Sequence, residues 1–421
     1  MSVQDSPSGT AQLRSGRRQY LLVTANYWGF TLTDGALRML VVLHFHQLGY
    51  SPLGIALLFL FYELFGVVTN LVGGWLGARL GLNRTMNIGL GLQVVALLLL
   101  TVPVELLSVP YVMFAQALSG IAKDLNKMSA KSSIKLLAAD DQQGRLYRWV
   151  ALLTGSKNAL KGVGFFLGGA LLAGVGFRGA LVWMALALAL LWLSSLRRLR
   201  QDLGKANSKA RFRELFSKSR AVNLLSAARL FLFGARDVWF VVALPVFLSA
   251  NLGWSHAEVG SFLALWIIGY GAVQSMAPLI TGKRSGRLPD GGSAFCWAGL
   301  LSVIPLLIAL GLDGEVLDYS LRAYLPGTEP LLVGGLLLFG AVFAVNSSLH
   351  SYLILSYARE EGVSLDVGFY YMANAMGRLV GTLLSGWLFQ LYDLQSCLLV
   401  STLFLALAAL LSLGLPRHRT V

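Results

Sequence analysis

The chain has 421 residues, of which 56% are hydrophobic and only 13% are charged, and its mean hydropathy is +0.66. Soluble globular domains carry about 25% charged residues, so the composition excludes a soluble globule and predicts an integral membrane protein. The formal net charge of +14 makes the positions of the basic residues informative. The two cysteines, Cys296 and Cys397, both lie in apolar runs, and two thiols exclude a disulfide framework.

The first segment, residues 1–19, is polar and rich in Ser, Gly and Gln. It contains no apolar stretch followed by a small-residue cleavage site, so it is not a secretory signal. We expect a mobile cytoplasmic tail here.

Twelve apolar runs follow, each long enough to cross about 30 Å of hydrocarbon as a helix. They occupy residues 20–44, 52–76, 86–107, 110–132, 146–175, 178–196, 222–250, 257–280, 293–312, 331–357, 367–390 and 395–415. The predicted fold is therefore an all-α membrane protein with twelve transmembrane helices in two six-helix bundles, 20–196 and 222–416. A basic cytoplasmic linker, 197–221, separates the bundles, and residues 417–421 form a second cytoplasmic tail.

The distribution of the 34 basic residues predicts the orientation. With both termini inside, 23 of them fall in cytoplasmic segments and only two, Arg178 and Arg322, in outer loops. This asymmetry favours cytoplasmic termini, in a multi-pass protein of a bacterial inner membrane.

Nine basic residues remain inside the predicted spans, against only four acids. The basic residues are Arg38, Lys123, Lys127, Lys131, Lys157, Lys161, Arg229, Arg236 and Arg378, and the acids are Asp34, Glu63, Asp124 and Asp237. A charge at the centre of a membrane helix costs about 2.5–3.5 kcal/mol on insertion scales, so such residues face a partner or an aqueous pathway. The excess of about five positive charges points to an anionic cargo.

These charged residues lie at different depths within the predicted spans. Lys131 lies near the end of span four and is expected to extend to the headgroups, whereas Lys157, Lys161, Glu63 and Arg378 lie close to the midplane. Asp34 with Arg38 and Asp124 with Lys127 have helical spacing, so a structural ion pair and a functional site both remain open.

Two lysine pairs are the most specific charge pattern. Lys123 and Lys127 are four residues apart on span four, and Lys157 and Lys161 repeat that spacing on span five. Like charges on one helical face repel, so a polyanionic ligand is the expected partner.

The segment between spans two and three, GWLGARLGLNR, contains Gly74, Arg79, Gly81 and Arg84. Their spacing resembles the hinge motif G-x-x-x-D-R-x-G-x-x-R of the major facilitator superfamily, although Ala78 replaces its acid. The glycine stripe GVGFFLGGALLAGVG of span five is suited to close helix packing.

Longer strings narrow the resemblance: YLLVTANYWGFTLTDGALRMLVVLHFH, SGIAKDLNKMSAKSSIK and YRWVALLTGSKNALKGVGFFLGG. From about Tyr20 to Pro416 the chain resembles the organoarsenical efflux permeases of bacterial arsenic-resistance operons, the ArsJ type. The resemblance implies export of 1-arseno-3-phosphoglycerate, which glyceraldehyde-3-phosphate dehydrogenase forms from arsenate. It also implies functional cooperation with that enzyme.

Charge and depth alone predict the cargo-binding residues. The protein is expected to work as a monomer by alternating access, without cofactor, metal or nucleic acid. Arginines would clamp phosphoryl oxygens and lysines would neutralise them; the set is Arg38, Lys123, Lys127, Lys157, Lys161, Arg236 and Arg378. Asp34, Glu63, Asp237 and His350 are candidates for proton coupling by antiport, while a uniporter or an anion-driven exchanger remains open.

The sequence leaves one alternative to this export open and disfavours two others. An organophosphate/phosphate exchanger of the same superfamily would share the cationic interior. A membrane enzyme lacks support because H-E-x-x-H and G-x-S-x-G are absent from the sequence. An arsenite pump would need a three-thiolate site, which two cysteines cannot build.

Overall fold

The computed structural model describes residues 7–50, 58–137, 143–199, 203, 219–254, 256–282, 288–312, 327–360 and 363–417. Within these ranges the chain is helical and contains no β-strand. The helices are α1 (Pro7–Gln47), α2 (Leu60–Leu80), α3 (Leu82–Leu99), α4 (Val109–Leu137), α5 (Gln143–Arg198), α6 (Arg220–Phe240), α7 (Ala243–Ala250), α8 (His256–Gly282), α9 (Gly291–Leu312), α10 (Thr328–Tyr357), α11 (Val363–Leu391) and α12 (Leu394–Ser412).

Each of the twelve predicted spans overlaps a helix within the described residues. Spans five and six are separated where the sequence predicts, because the element labelled α5 consists of two helices that meet at a kink at Gly176, where φ is +69° and ψ is 177°. Glycine accepts this positive φ without the strain that a side chain would cause. Span seven is instead divided between α6 and α7.

Three long helices differ from the others in polarity. In the described part of the chain, eight helices are long and apolar enough to cross a membrane, and α6 with α7 counts as one of them. The helices α1, α4 and α11 do not belong to this group, and they carry Asp34, Lys123, Lys127 and Arg378. Helices of this polarity turn one face to protein or to a cavity, so they are where a polar site is built.

The first helix begins at Pro7, inside the segment 1–19 that the sequence assigned to a mobile tail. Once a membrane span has nucleated a helix, adding further residues costs little, and residues 7–19 continue that helix. Of the predicted linker, 197–221, only residues 197–199, 203 and 219–221 are described; the rest of this expectation lies outside the described residues.

The chain folds as two compact units. The first comprises residues 1–153, 160–217 and 358–369, and the second comprises residues 154–159, 218–357 and 370–421. In the first unit α4 packs against α1, α2 and α3; in the second, α10 packs against α6, α8 and α9. The fourth helix of each half thus contacts the three before it, as expected for two related bundles.

Glycines bring the polar helices close together within each unit. A Cβ atom on Gly35 of α1 would lie 2.9 Å from the carbonyl oxygen of Lys161 on α5, and one on Gly164 would meet the α1 backbone at 2.6 Å. In the second unit, a Cβ on Gly381 of α11 would lie 2.6 Å from the carbonyl oxygen of Gly234 on α6. These contacts place the charged turns of α1 beside α5, and those of α6 beside α11.

The apolar core of the second unit is aromatic. The ring of Trp239 packs edge-on against Trp266 and Phe339, with centroid distances of 6.1 and 5.0 Å. Large apolar side chains such as Phe166 and Leu265 are exposed, which is the pattern of a surface that faces lipid rather than water.

Candidate functional site

A cluster of ionic and aromatic side chains occupies the first unit, here called the Tyr62 cluster: Asp34, Arg38, Tyr62, Glu63 and Lys123. The Tyr62 hydroxyl donates a hydrogen bond to Asp34 Oδ1 at 2.6 Å. The Lys123 ammonium lies 3.8 Å from the centre of the Tyr62 ring, and the Arg38 guanidinium lies 5.3 Å from it. Arg38 also donates to Glu63 Oε1 at 3.1 Å. One tyrosine therefore contacts an acid and two cations.

Each cation of α1 and α4 in this region has a fixed partner. Lys127 bonds Asp124 Oδ1 at 2.5 Å, and the Asp124 carboxylate fits beside α2 because position 66 is glycine, where a Cβ would lie 3.0 Å from Asp124 Oδ2. Three acids balance three cations here: Asp34, Glu63 and Asp124 against Arg38, Lys123 and Lys127. The pairing of Asp124 with Lys127 is the structural alternative left open by the sequence.

The four lysines are not assembled in one unit. Lys123, Lys127 and Lys161 belong to the first unit, whereas Lys157 belongs to the second. Lys161 lies 5.7 Å from the ring centre of Phe165 on its own helix. Lys157 is followed by Asn158, whose amide donates to Gln274 Oε1 at 2.9 Å.

The expectation for Lys131 is wrong. Its side chain is only 4% exposed, so it does not extend along the helix surface to the headgroups. Its face of α4 is buried together with Ser132 and Ser133, which removes the outward route that a snorkelling lysine needs.

The second unit contains a different cluster, here called the arginine cluster: Arg229, Arg236, Asp237 and Arg378. Asp237 is completely buried and uses both carboxylate oxygens. Oδ1 accepts from Arg236 Nε at 2.6 Å, and Oδ2 accepts from Arg378 Nε at 3.1 Å. With three arginines and one acid, this cluster retains a positive charge.

Exposure ranks the three arginines. The Arg378 side chain is 40% exposed and that of Arg236 is 15% exposed, whereas Arg229 is 2% exposed. Nε of Arg378 is held by Asp237, and this contact orients the guanidinium group. Arg236 lies 5.0 Å from the ring centre of Phe233 and 5.5 Å from that of Phe343.

The four proton-coupling candidates differ in environment. Asp34 is bonded to Tyr62 and Asp237 lies between two arginines, as described above. Glu63 is the most accessible, with 38% of its side chain exposed. His350 is completely buried, and neither ring nitrogen has a hydrogen-bond partner among the described residues.

The hinge motif adopts a tight turn between α2 and α3. Gly81 has φ +91° and ends α2, its N–H donating to the Gly77 carbonyl at 3.0 Å. A Cβ on Gly74 would lie 2.5 Å from the Ser364 carbonyl oxygen. Arg79 is exposed and lies 5.1 Å from the Trp75 ring centre, and Arg84 is exposed in the first turn of α3.

Ala78 stands where the motif has an acid, and it is completely buried against Leu365 at the start of α11. Leu71 and Trp75 pack on this pair. At this position an apolar contact replaces the charge of the motif.

The described residues contain no group of three His, Cys, Asp or Glu side chains that could hold a metal ion. His44 stacks on Phe177, with ring centroids 3.9 Å apart, and lines a cavity of about 440 Å³ between α1 and α5. The environment of His44 is that of a packed aromatic side chain.

Two features were missed because only charge and depth were weighed in the sequence. Tyr62 precedes Glu63, and an aromatic residue beside an acid within a predicted span is the signal that could have identified it. Arg229 is one of the embedded cations but not one of the predicted cargo-binding residues, and the absence of an acid beside it in the sequence, where Arg236 has Asp237, is the signal that could have distinguished it.

The chain is similar to a known family and to solved structures. The model of the Major Facilitator Superfamily matches residues 20–235 and, a second time, residues 225–421. No curated protein sequence matches.

Three solved structures illustrate the likeness. The E. coli fucose:proton symporter FucP has a TM-score of 0.71 and 11% identity, over 94% of this chain and 98% of its own. The human organic anion transporter MFSD10 has a TM-score of 0.69 and 17% identity, over 93% and 99%. A bacterial homologue of the iron transporter ferroportin has a TM-score of 0.73 and 16% identity, over 94% and 98%. At such identities the likeness concerns the fold.

Proposed function

Because the chain belongs to the major facilitator superfamily and is a multi-pass membrane transporter rather than an enzyme, we propose that it exports a small polyanion, 1-arseno-3-phosphoglycerate, by alternating access. The observation that carries the proposal is the arginine cluster, in which two guanidinium groups share the Asp237 carboxylate and the third, Arg229, has only neutral hydrogen-bond partners among the described residues. The lysine segments of α4 and α5 supply the resemblance to organoarsenical permeases.

The chemistry of the cluster suits such a cargo. An arginine presents a planar pair of N–H donors that matches phosphoryl and arsenyl oxygens, whereas a lysine acts as a mobile point charge. Arg378, the most exposed of the three arginines with 40% of its side chain accessible, is the first contact in this proposal, and Arg236 is the second. Lys157 and Lys161 contribute positive charge on α5, while Lys123, Lys127 and Arg38 contact the cargo only after leaving their present partners.

The driving force follows from the charge of the cargo. Moving one charge across 100 mV is worth about 2.3 kcal/mol, so a membrane potential that is negative inside drives the export of a polyanion. The proton antiport expected from the sequence needs a group that loses its proton when cargo binds. Glu63 behaves in the opposite way, because a protonated Glu63 releases Arg38 for an anion. Protonation at this pair therefore assists cargo binding.

The cellular setting completes the proposal. The basic tails and linker belong on the cytoplasmic side of a bacterial inner membrane, where glyceraldehyde-3-phosphate dehydrogenase makes the cargo. The working unit is the monomer. Arsenate resistance results because the exported ester breaks down outside the cell.

The test is uptake of labelled arsenate into inverted membrane vesicles. Purified dehydrogenase, its nicotinamide cofactor and glyceraldehyde 3-phosphate are supplied together or omitted one at a time. The proposal requires accumulation only with the complete mixture, and its loss in Lys157→Ala and Arg378→Gln vesicles.

Each other outcome has a distinct meaning. Arsenate uptake without the dehydrogenase contradicts the organoarsenical cargo. Uptake that instead requires preloaded phosphate identifies an organophosphate/phosphate exchanger, the alternative that shares this cationic interior. Uptake that survives Lys157→Ala retains the function and removes Lys157 from the site.

A further inference from the structure

Arg229 of α6 is a buried cation without an acidic partner among the described residues. Its Nε donates to Asn374 Oδ1 at 2.9 Å, and its Nη1 donates to the Ser347 carbonyl at 3.2 Å. The guanidinium lies 3.9 Å from the ring centre of Phe233 and 5.3 Å from that of Tyr370. A buried charge is costly without a counter-ion, and neutral oxygens and rings neutralise none of it.

The neighbouring helix α10 presents unpartnered polar groups beside this cation. Asn346 and His350 are one helical turn apart, so they share a face of α10, and both are completely buried. Neither amide atom of Asn346 and neither ring nitrogen of His350 has a hydrogen-bond partner in the described ranges. Buried polar side chains without partners are uncommon in folded proteins, and here they flank Ser347, whose carbonyl accepts from Arg229.

We propose that Arg229, Asn346 and His350 form an oxyanion subsite within the second unit, selective for a phosphoryl or carboxylate group. The Asn346 amide and the neutral His350 ring donate N–H groups to the anion, and Arg229 neutralises it. The subsite rests on the proposed function only in that the cargo has two anionic ends. One end binds here, and the other binds to Arg236 and Arg378.

The spacing of the two cationic centres supports a short two-ended ligand. Arg229 and Arg236 are seven residues apart on α6, which places them on one side of the helix. Both guanidinium groups contact the same ring, since Phe233 lies 3.9 Å from the first and 5.0 Å from the second. A three-carbon acid phosphate is long enough to reach from one centre to the other.

Asn346→Leu is the informative variant, because leucine matches asparagine in size and removes both unpartnered atoms. Equilibrium binding of 3-phosphoglycerate, with two anionic ends, and glycerol 3-phosphate, with one, is measured on the full-length protein in lipid nanodiscs. We expect the wild type to prefer 3-phosphoglycerate. In the variant, the ratio of the affinity for 3-phosphoglycerate to that for glycerol 3-phosphate falls about tenfold. Its thermal unfolding midpoint rises because two unpaired buried polar atoms have been removed.

Ser348→Ala is the matched control. Ser348 is also completely buried with an unpartnered hydroxyl, but its position points away from the face of Asn346 and His350. Its substitution by alanine raises stability in the same way and leaves the ligand preference unchanged. Arg229→Lys keeps the charge, loses the planar fork and weakens 3-phosphoglycerate binding.

An Asn346→Leu protein that keeps the wild-type preference overturns the subsite, as does a wild type that binds both ligands equally. These outcomes are independent of arsenate. A carrier that fails to export the arsenylated ester, yet shows the preference and its loss, contradicts the proposed cargo and retains the subsite.

Discussion

The Tyr62 cluster and the arginine cluster contain similar residues but leave different net charges. In the first unit, Arg38 is paired with Glu63 and Lys127 with Asp124, while Lys123 lies against the Tyr62 ring. In the second unit, Asp237 is the one acid of the cluster and is shared by two arginines. The first cluster is balanced, and the second is positive.

An excess of charge in a sequence therefore does not by itself locate a binding site. A cation held by a fixed carboxylate must break that contact before it binds a ligand, and the cost of the broken contact is subtracted from affinity. A cation that shares its acid with another retains attraction for an anion. Substitutions in the second unit should therefore impair transport more than those in the first.

The largest expected effect is on stability, from Asp237→Asn. Removing the shared acid takes a completely buried carboxylate away from Arg236 and Arg378, and breaking a buried pair costs about 3–5 kcal/mol. Glu63→Gln breaks the more exposed pair with Arg38 and should cost about 1 kcal/mol or less. Thermal unfolding of the two variants in nanodiscs measures their losses of stability. Equal losses in Asp237→Asn and Glu63→Gln would contradict the distinction between the clusters.

A smaller effect is expected in the pH dependence of transport. Acidification protonates Glu63 and releases Arg38, so the affinity for anionic cargo should rise as pH falls. Glu63→Gln imitates the protonated side chain, so it should show higher affinity at neutral pH and a flatter profile. The measurement is KM as a function of pH for the wild type and for Glu63→Gln. Titration of the cargo itself affects both proteins equally, so the difference between the two profiles reports on Glu63. Parallel profiles would exclude Glu63 as the titrating group.

The smallest effect is expected at Tyr62. Tyr62→Phe keeps the ring beneath Lys123 and Arg38 but loses the bond to Asp34, whereas Tyr62→Leu loses both. A cation–π contact is worth about 0.5–2 kcal/mol, so the leucine variant should show a several-fold higher KM and the phenylalanine variant a smaller change. Identical KM values for the two variants would mean that the ring does not position the cations.

Hydrophobic run length was sufficient to predict the helical membrane fold, because the thickness of the hydrocarbon sets the length of a span. It also predicted the boundary between spans five and six, where Gly176 breaks the helical geometry of α5; the positive φ of that residue is a conformation that glycine adopts readily. Charge and depth identified Arg236 and Arg378, whose acid Asp237 is adjacent in sequence to Arg236.

The partners of the remaining site residues depend on contacts between helices. The spacing of Asp34 and Arg38 suggested a pair along one helix, but Tyr62 and Glu63 on α2 bind them. Lys131 is buried because its face of α4 packs inside the bundle, which hydropathy does not reveal. The hydrogen-bond partners of Arg229 lie on α10 and α11, which are far from it in the sequence.

The most direct test of the unequal clusters compares cargo transport by Arg378→Gln with that by Arg38→Gln in inverted vesicles, at equal amounts of folded protein. The account predicts a KM about tenfold higher or more for Arg378→Gln, since a charge-assisted hydrogen bond is worth about 1.5–3 kcal/mol. Arg38→Gln should change KM only a few-fold, because Glu63 already occupies that guanidinium. A larger loss in Arg38→Gln than in Arg378→Gln would contradict the account and place the anion site in the first unit.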